Sequence, residues 1–317
     1  MKKTWIWILI AASLMIAGAL IFGGTMLATN FEFHEEFETH EQEISGDVKS
    51  VLINTDETGI KILPSEDGKC RVVCVEKKLC HHSVSVTDGE LSIKLEDNRK
   101  WYDYISFFNF KSPSITVYLP ADCIAELKID AKTADVYIEK DFTFESVDIS
   151  LSTGDIFCNA SSKSIVKIET TTGDISLARM SAETIDLKAS TGDIYLYETE
   201  ASGDISVKVS TGETKLNSVK CKNLTSIGTT GDAGLRLVVA KEHMHVERDT
   251  GDIDFYSCDA GSIKFKTSTG DVKGSFDSDK IFNYKTSTGK VELPKSTSGG
   301  ICEITTSTGD IRIEIAK

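Results

Sequence analysis

Apolar and polar positions along the chain fall into two regimes. Trp5 to Leu27 contains no charged residue, and a helix of that length, rising 1.5 Å per residue, spans a hydrocarbon core of roughly 30 Å. From about residue 48 onward apolar positions alternate with polar ones at a spacing of two, the period of a strand with one buried face. The pattern therefore predicts one N-terminal helix followed by an all-β chain.

A longer period lies over the alternation. Thr-Gly-Asp, or a near variant, recurs with its third position at Asp155, Asp174, Asp193, Glu213, Asp232, Asp252, Asp271, Lys290 and Asp310, in steps of 19 or 20 residues. A weaker copy ends at Asp135, where Ala134 replaces Gly. Eight and six residues before the acid stand apolar positions such as Val147 and Ile149, or Ile185 and Leu187. One and three residues after it stand Ile156 and Cys158, or Ile194 and Leu196. Each repeat reads as two short half-buried strands joined at the Thr-Gly-Asp corner. Such a unit cannot bury its apolar face alone and must stack. The expected architecture is a single-stranded β-solenoid (β-helix-like) of about ten coils of 19–20 residues, spaced about 4.8 Å.

The corner residues have local physical reasons. Gly154, Gly173, Gly192 and Gly270 supply positive φ at low cost. Counting by twos, Thr153, Thr172, Thr191 and Thr269 point inward, where their hydroxyls can form a ladder. The carboxylates of Asp155, Asp174, Asp193 and Asp271 can accept backbone N–H groups around the bend. Calcium binding by a glycine-rich solenoid needs a nonapeptide repeat, which this period does not match. An ice-binding face needs a uniform Thr array, whereas the column before the corner is mixed (Ser152, Thr171, Ser190, Asp249).

Four segments follow: an anchor over 1–30, an acidic stalk over 31–47, an N-terminal β cap over 48–126 and the solenoid over 127–317. In the cap, Val48–Asn54, Gly59–Leu63, Cys70–Glu76, Ser83–Val86, Glu90–Leu95 and Ser114–Leu119 alternate in twos, and Thr87-Asp88-Gly89 reads as a hairpin turn. Between the last two strands Trp101, Tyr102, Tyr104, Phe107, Phe108 and Phe110 crowd together. They either plug the end of the solenoid or form a patch for a partner. The coil ending at Lys317 has no polar cap and is a candidate edge for self-association.

Charge and composition narrow the function. The net charge of −14 over 317 residues excludes general nucleic-acid backbone binding. Lys2 and Lys3 before the apolar run, with Glu-rich sequence after it, predict a single-pass membrane protein whose C-terminal body is extracellular. A cleaved signal peptide is the competing reading, because Ala17-Gly18-Ala19 has the small-x-small form, although the apolar run continues past it. The eight Cys are read mostly as reduced core residues, with bridges conceivable only among Cys70, Cys74 and Cys80 or between adjacent coils. Cys70, Cys74 and Cys80-His81-His82 form a loose metal-like set whose spacing does not match a zinc motif, so no metal is assigned. No nucleophile elbow, P-loop, dinucleotide fingerprint or HExxH occurs, and short loops leave no material for a cleft. No enzyme activity and no cofactor are expected.

The repeated STGD[IV] coils (Ser152–Ile156, Ser190–Ile194, Ser268–Val272), the KSPSITVYLP strand at 111–120 and the N-terminal anchor resemble the bacterial putative-adhesin family of β-strand-repeat proteins, a domain of unknown function. The resemblance covers about residues 45–317. It implies an envelope role, with a partner in the envelope or cell wall and a link to envelope-stress signalling, and it implies no catalytic residues. The expected function is a membrane-anchored binding or scaffold module, with a surface adhesin or a self-assembling surface protein as the alternative.

Overall fold

The computed structural model describes residues 2–28, 37–98, 112–123, 125–140 and 142–316. The aromatic cluster Trp101–Phe110, the first part of the stalk and Lys317 lie outside them. The N-terminal run forms one helix, α1, over Lys2–Ala28. Its side chains are described without a break only from Ile10 to Gly24. Among the described residues no helix is long and apolar enough to cross a membrane.

The rest is a β-solenoid built on two parallel ladders. In the first, Glu126–Thr133 pairs with Ser146–Thr153, and the stack continues through Ile165–Thr172, Thr184–Thr191 and Asp204–Thr211. In the second, Val136–Ile138 is followed by Ile156–Cys158, Ile175–Ala182 and Ile194–Ala201. Register places like on like, so Val147, Val166, Ile185 and Ile205 form one buried column and Ile156, Ile175 and Ile194 another. Each such side chain contributes about 1.5–3 kcal/mol by leaving water. The columns exist only between coils, so stability resides in the coil–coil interfaces.

Two features of the coil are absent from the repeat pattern. A second corner lies five residues after the acid. There Arg179, Glu198, Ser218, Leu237 and Ser257 adopt φ between 47° and 58°, a left-handed conformation that non-glycine residues rarely take. Coil order also departs from chain order at both ends. Ser50–Glu57 and Gly59–Pro64 stack directly against Glu126–Thr133 and Val136–Ile138. Glu90–Asp97 and Ser114–Leu119, which come later in the chain, form the level outside them. At the other end Gly300–Thr308 and Ile311–Ile315 insert beside Ile253–Thr269 and Val272–Phe276. The earlier segments Lys280–Lys285 and Val291–Glu292 lie outermost.

Three expectations are corrected here. The last coil of the sequence is an inner coil, so the open C-terminal edge belongs to the level carrying Lys290. The segment read as a separate cap contributes strands to the same two ladders, closed by antiparallel partners. Cys80–Thr87 covers Glu90–Asp97, while Cys70–Lys77 covers Ser114–Leu119 and is itself covered by Phe37–Ile44. That last strand lies in the segment read as a solvated stalk. Its acids meet basic residues in and just before the neighbouring strand, with Lys69 Nζ 2.7 Å from Glu43 and Arg71 3.2 Å from Glu41. An acidic outer strand blunts an edge that would otherwise template pairing.

Candidate functional site

The Thr-Gly-Asp corner is a hydrogen-bonding device running along the rod. Gly154, Gly173, Gly192 and Gly270 have φ of 132°, 133°, 138° and 153°. A Cβ on Gly173, Gly192 or Gly270 would strike the carbonyl of the corner glycine in the preceding coil. With the backbone so turned, the acid's N–H faces the preceding coil, where a carboxylate meets it. Asp155 Oδ1 accepts the N–H of Asp174 at 2.8 Å, Asp174 Oδ1 that of Asp193 at 2.7 Å, and Asp193 Oδ1 that of Glu213 at 2.7 Å. Asp252 serves Asp271, Asp271 serves Asp310 and Asp310 serves Lys290. Thr153, Thr172, Thr191 and Thr269 are exposed, which corrects the inward placement read from the alternation. The glycine breaks the parity one residue earlier than counting by twos assumes. The buried hydroxyls sit two residues before these threonines, as at Thr170 and Thr267, which bond to Thr172 O and Gly251 O.

Charge along this ladder is tuned by its neighbours. At Asp193, partial burial works against ionisation, but hydrogen bonds from Tyr195 and the Glu213 N–H, with Lys215 nearby, hold the carboxyl below the usual range. The Tyr195 hydroxyl, 2.6 Å from Asp193, is pushed up to about 12, first by that hydrogen bond and then by burial. Lys273 and the Asp310 N–H likewise hold Asp271 low.

The outward face of the second ladder differs in character from the corner. Two residues after the acid, strand parity turns Tyr137, Phe157, Ser176, Tyr195 and Lys215 outward in register. Two residues further on, Tyr197, Asn217, Arg236 and Tyr256 form a parallel column. Arg236 lies over the Tyr256 ring at 5.6 Å and Lys215 over the Tyr195 ring at 5.7 Å. Gly234 and Gly274 leave a shallow open groove between these side chains. Tyr256 keeps 59% of its surface exposed. The face thus presents aromatic planes and guanidinium and ammonium groups on a rigid support, the composition of a recognition surface. The outward parity of Phe157 and Tyr195 is its signal in the sequence, one that the apolar columns do not carry.

Of the metal-like set, the structure brings Cys74 and His82 together and adds Glu76, which the spacing argument missed. All three are buried, and one ligand atom of each lies within 4.8 Å of the others. His81 instead faces Glu96 at the surface, and Cys70 is buried further along its strand. None of the eight Cys is in a disulfide among the described residues. Burial pushes the Cys221 and Cys302 thiols up to about 12, which makes them inert hydrophobes.

A family model described as Toastrack DUF4097 matches residues 48–298. The chain belongs to the Toastrack DUF4097 family. No curated protein is similar enough in sequence to count as a relative. Among solved structures, this Toastrack chain is similar to a putative adhesin from Bacteroides fragilis NCTC 9343, at 15% identity and a TM-score of 0.42, over 89% of this chain and 98% of that one. It is also similar to a putative adhesin from Parabacteroides distasonis ATCC 8503, at 11% identity and a TM-score of 0.46, over 87% and 97% of the two chains. A third similarity is to a putative cell adhesion protein from Clostridium sporogenes ATCC 15579, at 10% identity and a TM-score of 0.28, over 89% and 100%.

Proposed function

We propose that this Toastrack protein is a membrane-anchored, extracellular binding scaffold without catalytic activity, which presents the aromatic and basic face of its second ladder to an envelope partner. The observation that carries the reading is α1. Its described apolar side chains, among them Trp5, Trp7, Leu14, Met15, Leu20 and Ile21, are exposed on every side of the helix. A helix that is apolar all round finds its favourable surroundings in lipid. In the sequence the uncharged run from Trp5 to Leu27 matches a hydrocarbon core of roughly 30 Å, and the positive flank at Lys2 and Lys3 favours a β body on the outside. Two experiments test this. The full chain should resist carbonate extraction from membranes. Its lysines should react with an impermeant amine reagent on intact cells; labelling that requires lysis sinks the external topology. Cross-linking in living cells through the Tyr197–Tyr256 face then identifies the partner, including any protein of envelope-stress signalling.

A surface adhesin is the second reading, favoured by the same aromatic face, since sugars and proteins both stack on exposed rings. It predicts that Tyr197→Ala and Tyr256→Ala lower attachment without changing membrane insertion. The self-assembling alternative finds less support. The outermost C-terminal level is short and carries Lys285, Lys290, Pro294 and Lys295, which are edge-blunting residues.

A further inference from the structure

We infer that Cys74, Glu76 and His82 form a zinc site in the hairpin that closes the N-terminal end of the solenoid. Cys74 and Glu76 stand two apart on the buried face of Cys70–Lys77. His82 arrives from the next strand, Cys80–Thr87, across the tight connection at which Lys77 pairs with Cys80. The three supply a thiol, a carboxylate and an imidazole, the ligand types that bind zinc, and their donor atoms already lie within 4.8 Å of one another.

The surroundings are those of a built site. The His82 ring is fixed at both nitrogens, with Nε2 2.8 Å from Thr55 Oγ1 and Nδ1 2.8 Å from Glu76 Oε2. The Thr55 contact orients the ring from outside the cluster, as the second partner of a metal-bound histidine does. Glu76 is a carboxylate with its side chain 3% exposed, and its partner is a histidine, 1% exposed, rather than a fixed cation. An acid so placed is costly to bury. A divalent cation changes the balance. With the thiolate of Cys74, the carboxylate of Glu76 and a neutral His82, the cluster has zero net charge, the state whose burial costs least. Beside His82 lies a cavity of about 30 Å³, lined also by Cys80, Thr58 and Leu95 but by neither Cys74 nor Glu76, with room for one water. The ion ties the hairpin of residues 70–87 to Ser50–Glu57 through Thr55.

The test uses the full chain in detergent, stripped with chelator and titrated with Co²⁺ and then Zn²⁺. The expected result is one ion per chain, with a near-ultraviolet thiolate-to-cobalt absorption band that zinc removes. Cys74→Ser should abolish the band and His82→Asn the binding, whereas His81→Asn, on the exposed side of the same strand, should keep both. Thr55→Val should weaken affinity about 10–100-fold. Wild-type protein that takes up no stoichiometric metal overturns the proposal, and so does a Cys74→Ser variant that titrates like wild type. The wild-type measurement decides the matter even where a variant does not fold.

Discussion

The backbone N–H of Asp310 donates to Asp271 Oδ1 at 2.6 Å across 39 residues of chain, and the N–H of Lys290, which lies between them in sequence, donates onward to Asp310 Oδ1 at 2.8 Å. The final coil is therefore held on both sides. Removing residues 300–317 takes out an inner level and leaves Lys280–Lys285 with no ladder partner. In an ordinary solenoid, deletion of the last coil frays only the new end. Here hydrogen exchange should show protection lost across 280–292 and weakened over 253–276, with coils before residue 230 unchanged. Protection retained in 280–292 would contradict the inserted order.

The same ladder explains why one corner tolerates a lysine and predicts where it can be improved. Among the described residues no coil stacks beyond Lys290, so no carboxylate is needed there, and Lys290→Asp should leave the melting temperature unchanged. Asp174 has a coil beyond it. Asp174→Ala strands the N–H of Asp193 and should cost about 1–3 kcal/mol. At Glu213 the longer side chain pairs with Lys215, and among the described residues no carboxylate takes up the Asp232 N–H. Glu213→Asp should restore the bond and add about 0.5–1.5 kcal/mol, read as a shift in the urea midpoint at constant slope.

Glycine is required at the corner for two separable reasons, conformation and space. At Gly173 both apply, since φ is 133° and a Cβ would meet the Gly154 carbonyl. Gly173→Ala should cost more than about 1–3 kcal/mol, the range for backbone strain alone. Gly234 is the internal control. It has no positive φ, and a Cβ there would make only ordinary contacts, with Lys215 Cγ at 3.8 Å and Thr214 O at 4.0 Å. Gly234→Ala should fall within about 0.5 kcal/mol of wild type. Equal losses in the two variants would show that the corner does not depend on its glycine.

Sequence period alone was enough to read this fold where each coil repeats a chemical signature. Thr-Gly-Asp marked the first corner because positive φ selects glycine and the orphan N–H selects a short carboxylate. The second corner went unread because Arg179, Glu198 and Leu237 carry the left-handed turn without a glycine, so no residue type marks it. The inserted ends were invisible because Asp310 and Lys290 keep the step of 20, and a period records spacing along the chain, not order in space. The Cys74–Glu76–His82 cluster was half legible. The Cys and His stood out by type, but Glu76 looked like one more surface acid until the burial of alternate residues in Cys70–Lys77 turned it inward.

Acid should weaken the ladder through its carboxylates. Asp193, Asp271 and Glu247 are held below their ordinary values in the folded chain. Each therefore contributes stability that is present above the unfolded pKa, about 4, and is lost as pH falls through the lower folded value. Asp254 acts in the opposite sense. Burial and the neighbouring Asp252 raise it, so protonating it on acidification favours folding. The net expectation is a urea midpoint that is level down to about pH 4 and declines below it. Asp193→Asn should reduce that decline, and a midpoint that falls instead between pH 7 and pH 5 would place the sensitivity elsewhere.

Arg248 should be the costliest residue in the core, and replacing it should stabilise the protein. Its side chain is fully buried, and no carboxylate pairs with it among the described residues. Two nitrogens reach Ser226, through the carbonyl at 3.2 Å and the hydroxyl at 3.1 Å, and one also bonds Glu247 O at 2.8 Å, while Nε finds no partner. Desolvation lowers its pKa to about 10. The volume is accommodated because its register partner is Gly228, where a Cβ would lie 3.0 Å from Arg248 Cδ. An ion buried without an opposite charge is worse than an apolar side chain of similar size. Removing it alone leaves the Ser226 hydroxyl stranded, at about 1–3 kcal/mol, so the informative variant is Arg248→Met with Ser226→Ala. That pair should gain about 1–4 kcal/mol over wild type, and Arg248→Met alone should gain less. Because a buried charge weighs on the folded state alone, the gain should appear as slower unfolding and a higher melting temperature. A double variant that melts below wild type would mean that the guanidinium is satisfied by a group other than Ser226 and Glu247.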